Sequence, residues 1–221
     1  MQYEELNTIF FYLKNKRYAI SKILDFKAPL SVEQHEYKLQ IMYGLYFNSY
    51  NALIEYIVSD LNNKQIEQEI ISRVFNNNKN NYNYTRELRN SIIHRGLDVS
   101  NAGISLENLN IIVPPAIQTV KNKNGKKIYS AFTDNLLQNV IICEKLNTIV
   151  KEFCKNMKYL EFKPTQNEEY LIELRNKHFV PEWVQKKLKN FDFTQFAEIE
   201  QEIFERKVKE YFDTTDLLNG I

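Results

Sequence analysis

Arg89, Asn90 and His94 are the residues of this sequence whose types and spacing suit chemistry on a phosphodiester. Asn90 and His94 are four residues apart, so on a helix they are neighbours on one face, and Arg89 lies one step round from Asn90. An arginine can hold a phosphate through two parallel hydrogen bonds. A histidine is the side chain whose proton moves most readily near neutral pH. These three residues predict a site for phosphate binding and proton transfer.

The three residues fall in a segment, 85–96, that is typical of a short helix with clear start and stop signals. Thr85 is a good N-cap residue, and Gly96 suits the position just after the last turn. Leu88 and Ile92, which are four residues apart, give this helix an apolar side. A histidine near a helix end often just binds the last carbonyl groups and the helix dipole. That role is the alternative to a catalytic one for His94.

The pattern Arg89-Asn90-x-x-x-His94 resembles the R-x(4–6)-H signature of the HEPN superfamily, including the polar residue that commonly follows the arginine. HEPN domains are α-helical, many are metal-independent RNA endonucleases, and many prokaryotic members are toxins or phage-defence effectors. The resemblance covers residues 32–157. It implies an RNA substrate, a homodimer in which two motif helices form one cleft, and an antitoxin or another regulatory partner.

The resemblance also implies roles for the three residues. In metal-independent cleavage the 2′-OH of RNA attacks the adjacent phosphorus, and the product carries a 2′,3′-cyclic phosphate. His94 is the expected base or acid, Arg89 is expected to stabilise the developing charge, and Asn90 is expected to hold the ribose or phosphate and orient the imidazole. Five steps along an ideal helix separate Arg89 from His94 by about 140°, so we expect either a second copy or a distortion of the helix near Gly96 to bring both groups to one phosphate.

Further residues are candidates for supporting the site. Glu55 falls beside the apolar stripe of an earlier helix. It is either an exposed glutamate or a partner that orients Arg89 or His94, because HEPN domains often carry an acidic residue on an earlier helix. Arg86 and Arg95 are candidate phosphate contacts or plain surface residues. We expect no metal and no cofactor, since the sequence has no zinc-spaced Cys/His set and no glycine-rich phosphate loop.

A hairpin is predicted over residues 117–130, just after the motif helix, because Asn124-Gly125 is a strong turn signal. Lys123, Lys126 and Lys127 make its turn basic. This turn is either a solvated hairpin tip or a clamp for the RNA backbone. The segment 76–84, NNNKNNYNY, is predicted to be a polar loop whose tyrosines Tyr82 and Tyr84 either stack on bases or rest on the surface.

Apolar residues at helical spacing predict a mainly α protein built as a HEPN-like helical bundle. The predicted helices are 3–25, 31–62, 64–75, the motif helix, and one core helix over 134–159 that Thr133 caps. The chain is expected to divide into a bundle over 1–160 and a helical C-terminal extension over 161–221, packed on the same domain. Helices in this extension are predicted to begin near Thr165, Pro181 and Thr194.

Composition limits the classes of function. Net charge is +1, so nucleic acid must be bound by a local patch rather than by a global field. The two cysteines, Cys143 and Cys154, are predicted to be reduced core residues. The first residues, MQYEELNTIF, lack a basic region before an apolar run, so we expect no signal peptide and a cytoplasmic protein. No stretch is long and apolar enough to suggest a membrane span.

Three hypotheses follow from the sequence. The first is a HEPN-type RNA endonuclease that acts as a homodimer. The second is a non-catalytic HEPN-like helical protein that binds nucleotide, RNA or a protein partner. The third is an unrelated helical interaction protein in which the motif occurs by chance, and in that case the 85–96 segment should be buried or lack a cleft.

Overall fold

A computed structural model describes residues 2–24, 32–95, 97, 103–106, 109–112, 119–162, 181–183, 186 and 193–218. It confirms a mainly helical fold with a small antiparallel β component. The chain divides into two compact units, Met1–Phe153 with Tyr211–Ile221 in the first and Cys154–Glu210 in the second. No helix in the described ranges is long and apolar enough to cross a membrane.

The described elements follow one another in this order: α1 (Gln2–Leu24), α2 (Val32–Glu55), a π-helix (Tyr56–Asp60), α3 (Gln65–Arg73), α4 (Lys79–Arg95), β1 (Gly103–Leu106), β2 (Leu109–Ile112), β3 (Thr119–Lys121), β4 (Ile128–Ser130), α5 (Leu136–Cys143), α6 (Leu146–Asn156), α7 (Phe193–Phe212) and α8 (Thr215–Leu218). Helices α1 and α2 pack side by side, and α2 also packs against α4. The motif helix therefore belongs to the first unit.

The end of α2 differs from the prediction, which extended the helix to Asn62. The α-helix ends at Glu55 and continues as one turn of π-helix, in which the backbone N–H of Leu61 donates to the carbonyl of Tyr56 at 3.1 Å. A π turn accommodates one extra residue and is often found at functional sites. Asn62 then adopts a positive φ of 51°, which ends the helical path.

The predicted core helix over 134–159 is two helices rather than one, because the chain turns at Glu144. Helix α5 ends at Cys143, and α6 begins at Leu146. The N-cap of α5 is Asn135, whose Oδ1 accepts from the backbone N–H of Gln138 at 2.9 Å, and not Thr133. The apolar periodicity continues across the turn, so periodicity alone could not reveal it.

The hairpin predicted over 117–130 is confirmed as β3 and β4, which pair antiparallel with Val120 opposite Tyr129. The structure adds a second hairpin that the sequence analysis missed. Strands β1 and β2 pair antiparallel with Gly103 opposite Ile112. Both strands lie between the motif helix and the predicted hairpin, where the sequence predicted no element.

The last predicted helix, expected to begin near Thr194, begins at Phe193 and ends at Phe212. The helix predicted from Thr165 lies outside the described residues. The helix predicted from Pro181 is described only at 181–183 and 186. The predicted boundary between residues 160 and 161 stays a prediction.

Both cysteines are free and buried, as predicted. Burial raises the pKa of the Cys143 thiol and that of the Cys154 thiol to about 12. Because a thiol with so high a pKa is almost wholly protonated at physiological pH, neither residue is a nucleophile in the folded protein.

A buried ion pair joins α1 to the turn between α5 and α6. Lys16 Nζ lies 3.0 Å from Glu144 Oε1, and both side chains are almost fully buried. The carboxylate also accepts from the hydroxyl of Tyr46 at 2.7 Å, from the amide of Asn147 at 2.8 Å and from the hydroxyl of Thr214 at 3.0 Å. Lys16 donates in turn to Asn147 Oδ1 at 2.7 Å. We call these five residues the buried polar cluster.

Replacing Lys16 by methionine should destabilise the protein strongly. The Glu144 carboxylate would then remain buried without its cation, and breaking a buried pair costs about 3–5 kcal/mol. The double variant Lys16→Met/Glu144→Gln should lose less, because no uncompensated charge remains. Urea unfolding of both variants measures the free energies, with Lys14→Met, an exposed lysine of the same helix, as the control. A loss for Lys16→Met no larger than that of the control would contradict a stabilising pair.

Candidate active site

The motif helix α4 begins earlier than the sequence predicted. It starts at Lys79, and its N-cap is Asn78, whose Oδ1 accepts from the backbone N–H groups of Asn80 at 3.0 Å and Asn81 at 3.3 Å. Thr85, the predicted N-cap, lies inside the helix, is buried, and donates to the carbonyl of Asn81 at 3.1 Å. The asparagine-rich segment thus starts the helix instead of forming a loop.

Tyr82 and Tyr84 are buried on α4, with 3% and 1% of their surface exposed. Tyr82 packs edge-on against Phe75, and Tyr84 packs edge-on against Phe132. Burial raises the pKa of Tyr84 to about 12. Neither ring lies on the surface or is available to stack on a base, so both predictions for these tyrosines were wrong. The rings instead hold the first half of α4 in the core.

Helices α2 and α4 run antiparallel along a shared seam. Gly44 of α2 faces Ile92 and Ile93 near the end of α4. One turn further along α2, Asn48 contacts Arg89. Each step forward along α2 is therefore a step backward along α4. The α2–α4 seam carries the candidate site.

Arg89 is half-buried and is held from two sides. Its Nε donates to Asn48 Oδ1 at 3.3 Å, and its Nη1 donates to Asn90 Oδ1 at 3.0 Å. Among the described residues, its Nη2 group has no hydrogen-bond partner. The guanidinium is thus fixed in place by two neutral amides and keeps donors for an anion.

Asn48 is a site residue that the sequence analysis missed. It is three residues beyond Leu45, so it stands in line with the apolar stripe predicted for α2. A polar residue at such a position is the signal that could have revealed it. The sequence could not show that its partner would be Arg89, which lies 41 residues away.

His94 is exposed in the last turn of α4. It lies four residues after Asn90, on the same side of the helix, and about 140° round from Arg89. The structure brings Arg89 and Asn90 into contact, and it places His94 one turn beyond them without joining it to Arg89. The 85–96 segment, as far as it is described, is neither wholly buried nor wholly exposed.

Glu55 does not contact Arg89, which was one of the two residues it was predicted to orient in the second alternative. It is exposed and lines a cavity of about 220 Å³ together with Arg86, near the end of α2. The reason is the antiparallel packing, which sets the end of α2 against an earlier turn of α4. The exposed position agrees with the first of the two alternatives, and Asn48 contacts Arg89 instead.

Arg95 is exposed but folds back onto its own helix. Its Nη2 donates to the Glu87 carbonyl at 3.0 Å and to Ser91 Oγ at 2.6 Å, and it lies 3.1 Å from the Glu87 carboxylate. An RNA phosphate would compete with these contacts for the guanidinium. Arg95 is therefore a weaker candidate for RNA contact than Arg86.

The basic hairpin packs directly against the motif helix through both of its strands, β3 and β4. In the turn, Gly125 adopts a positive φ of 65°, and its N–H donates to the Asn122 carbonyl at 2.9 Å. Lys123, Lys126 and Lys127 are all exposed. The hairpin that packs on α4 thus carries a set of exposed cations at its turn.

Comparisons with protein-family models, with curated proteins and with solved structures found no match to this chain. The HEPN resemblance depends on the Arg89-Asn90-x-x-x-His94 motif and stays a prediction.

Gly44 offers a test of the α2–α4 seam. A Cβ atom there would lie 3.5 Å from Ile92 Cγ2 and 3.6 Å from Ile93 Cδ1, which is ordinary contact. Gly44→Ala should therefore raise the free energy of unfolding by about 0.5–1 kcal/mol through helix propensity. Gly44→Leu should lower it by about 1–3 kcal/mol, since its added atoms need the space of the two isoleucines. Urea unfolding measures both, and a leucine variant as stable as the alanine variant would contradict this packing.

Proposed function

We propose that this chain is a metal-independent RNA endonuclease whose active site is completed by a second copy, with Arg89 and His94 as its catalytic residues. The observation that carries the proposal is that one of these side chains is fixed in place and the other is exposed on the same helix. Arg89 is held by Asn48 and Asn90, and its Nη2 group has no hydrogen-bond partner among the described residues. His94 is exposed one turn further along the same helix.

The chemistry assigned to these groups is transesterification followed by product release. The 2′-oxygen forms a bond to phosphorus, the bond from phosphorus to the 5′-oxygen breaks, and a 2′,3′-cyclic phosphate results. One imidazole removes the 2′-OH proton, and a second gives a proton to the leaving 5′-oxygen. Because one chain brings a single His94, the second imidazole comes from the other copy. Arg89 stabilises the negative charge that develops on the phosphate oxygens.

Exposed apolar side chains beside the motif support pairing of two copies. Ile93 lies over Gly44 and is 44% exposed, and Ile41, three residues before Gly44, is 42% exposed. Tyr37, one turn earlier on α2, is 67% exposed. Large apolar groups that gather on one face of a soluble protein often mark an interaction surface. A two-fold contact here would bring the two motif helices together and overcome the separation of about 140° within one chain.

The lysines of the β3–β4 turn support RNA as the substrate. They lie on a hairpin that packs on α4, the helix that carries Arg89. Exposed lysines near a phosphate site add affinity without sequence preference. A toxin or phage-defence role, with an antitoxin or other regulatory partner, is supported by the HEPN resemblance alone.

The second candidate is a non-catalytic HEPN-like protein that binds nucleotide, RNA or a protein partner. The observation that favours it is that Arg89 already uses two of its donors on Asn48 and Asn90. An arginine so engaged can hold an anion without taking part in a reaction. Binding of RNA without cleavage, by the folded dimer, would favour this candidate.

The wild type should cleave RNA with EDTA present, and both Arg89→Ala and His94→Ala should abolish cleavage. Loss of a proton-transfer group costs about 10²–10⁴-fold in rate, and loss of a charge-stabilising group about 10²–10³-fold. Total tRNA and a generic single-stranded RNA serve as substrates. The measurement is the cleavage rate together with the chemistry of the new ends, which should carry 2′,3′-cyclic phosphates.

Arg206→Ala is the matched control for Arg89→Ala, since Arg206 is an exposed arginine of α7. It should cleave at the wild-type rate. Cleavage that survives in His94→Ala would overturn the mechanism, and so would cleavage that EDTA abolishes.

Replacing Lys123, Lys126 and Lys127 together by glutamine should weaken RNA binding and reduce its dependence on salt. Removing one lysine that neutralises a phosphate lowers the slope of log K against log salt by about 0.7 for a single strand. The triple variant should therefore show a slope smaller by up to about 2. Titration of His94→Ala with labelled RNA at several salt concentrations measures this without cleavage. A control with exposed Lys64, Lys207 and Lys209 changed to glutamine should keep the wild-type slope, and an equal change in both would contradict the clamp.

A further inference from the structure

The cavity at the end of α2 lies on the same seam as Arg89 but holds a different set of groups. It has a volume of about 220 Å³ and is lined by Asn51, Glu55 and Ser59, from α2 and the π-helix, and by Glu67, Tyr82 and Arg86, from α3 and α4. The π-helix forms part of its wall, because Val58 and Ser59 belong to that turn. Arg86 is three residues before Arg89, so the two arginines are about 4.5 Å apart along the axis of α4.

One side of the cavity is already organised by internal contacts. The Arg86 guanidinium lies over the ring of Tyr82, 5.8 Å from its centroid. The pKa of Tyr82 is raised, first by burial and then by the charge of the Glu67 carboxylate, which also lines the cavity. Tyr82 therefore stays neutral at physiological pH. This side of the cavity presents the Arg86 guanidinium.

The Glu55 carboxylate has no hydrogen-bond or ion-pair partner in the described part of the chain, although Arg86 lines the same cavity. A carboxylate accepts two parallel hydrogen bonds and donates none when ionised. The cavity thus offers a bidentate hydrogen-bond acceptor, the Glu55 carboxylate, and a planar cation, the Arg86 guanidinium.

The guanine base fits this combination better than the other three bases. Its Watson–Crick edge presents two adjacent donors, N1–H and the N2 amino group, which match the two oxygens of a carboxylate. On that edge adenine and cytosine pair each donor with a neighbouring acceptor, and uracil places its one donor between two carbonyls. The lone pairs of those acceptors would face the carboxylate and repel it. Unpaired bases are commonly read on this edge while they stack on an arginine plane.

The size of the cavity agrees with a base rather than with a larger ligand. Sites for drug-sized molecules usually have volumes of about 300–1,000 Å³, and this one is smaller. A base in the cavity would leave its own phosphate outside. Because Arg89 is less than one helical turn away, that phosphate could lie against its guanidinium.

We propose that this cavity binds a guanine base of the RNA substrate, with the Glu55 carboxylate accepting from N1–H and the N2 amino group and with the Arg86 guanidinium stacked on the ring. The inference takes its substrate class from the proposed nuclease function. It gives that nuclease a preference for guanosine next to the bond that is cut.

The test measures binding of mononucleotides, which requires no cleavage. Guanosine 3′-monophosphate should bind the wild type, and the corresponding adenosine, cytidine and uridine nucleotides should bind at least ten-fold more weakly. Glu55→Gln and Arg86→Gln should each weaken binding of guanosine 3′-monophosphate by roughly ten-fold or more, as expected when a bidentate or stacking interaction is removed. Ligand-observed NMR titration detects such weak complexes. Asp60→Asn, an exposed carboxylate of the same π-helix that does not line the cavity, should bind as the wild type does.

Equal affinity for all four nucleotides, unchanged affinity in Glu55→Gln, or no binding by the folded protein would each overturn the guanine site. RNA cleavage decides the nuclease proposal separately. If RNA is cleaved and the cleavage requires Arg89 and His94, but guanosine 3′-monophosphate does not bind, then only the guanine site is refuted. If the nucleotide binds as described and RNA is not cut, the nuclease proposal fails and the cavity remains a guanine-binding site.

Discussion

The buried pair of Lys16 and Glu144 is the interaction on which the packing of the first unit most depends. Its charges are stable out of water only because the carboxylate is satisfied by Tyr46 and Thr214, which are distant in the chain, and by the nearby Asn147. Apolar packing alone would tolerate small rotations of α1 against α2. A carboxylate with four partners does not tolerate such rotations, because each small shift breaks a hydrogen bond that water cannot replace.

The α2–α4 seam is positioned by the same contacts, because α2 takes part in both the buried polar cluster and the seam. Tyr46, which binds Glu144, is two residues before Asn48, so the same helix faces the core on one side and the candidate site on the other. The contact of Gly44 with Ile92 and Ile93 sets how closely α4 approaches. Arg89 is thereby positioned by a rigid element rather than by a loop, as the binding of a phosphate in one orientation requires.

The sequence predicted those features that local chemistry decides. Asn124-Gly125 indicated the hairpin because its turn requires a residue with positive φ, and Arg89, Asn90 and His94 were correctly placed on one helix. The start of that helix was missed because Asn78 stands in a run of polar residues with no apolar period. The turn at Glu144 and the pairing of Asn48 with Arg89 were missed because both depend on residues far away in the chain. Periodicity does not carry such information.

Thr214 has a consequence for the order of events during synthesis. Its hydroxyl donates to Glu144, which lies 70 residues earlier, and Arg17 donates to the carbonyl of Asp213 at 2.7 Å. Chains emerge from the ribosome N-terminus first, at about 5–20 residues per second. The buried polar cluster therefore stays one hydrogen bond short for several seconds after Glu144 has been made. During translation the helix that carries Arg89 rests on an incompletely assembled core, and the nascent chain is less rigid than the finished one.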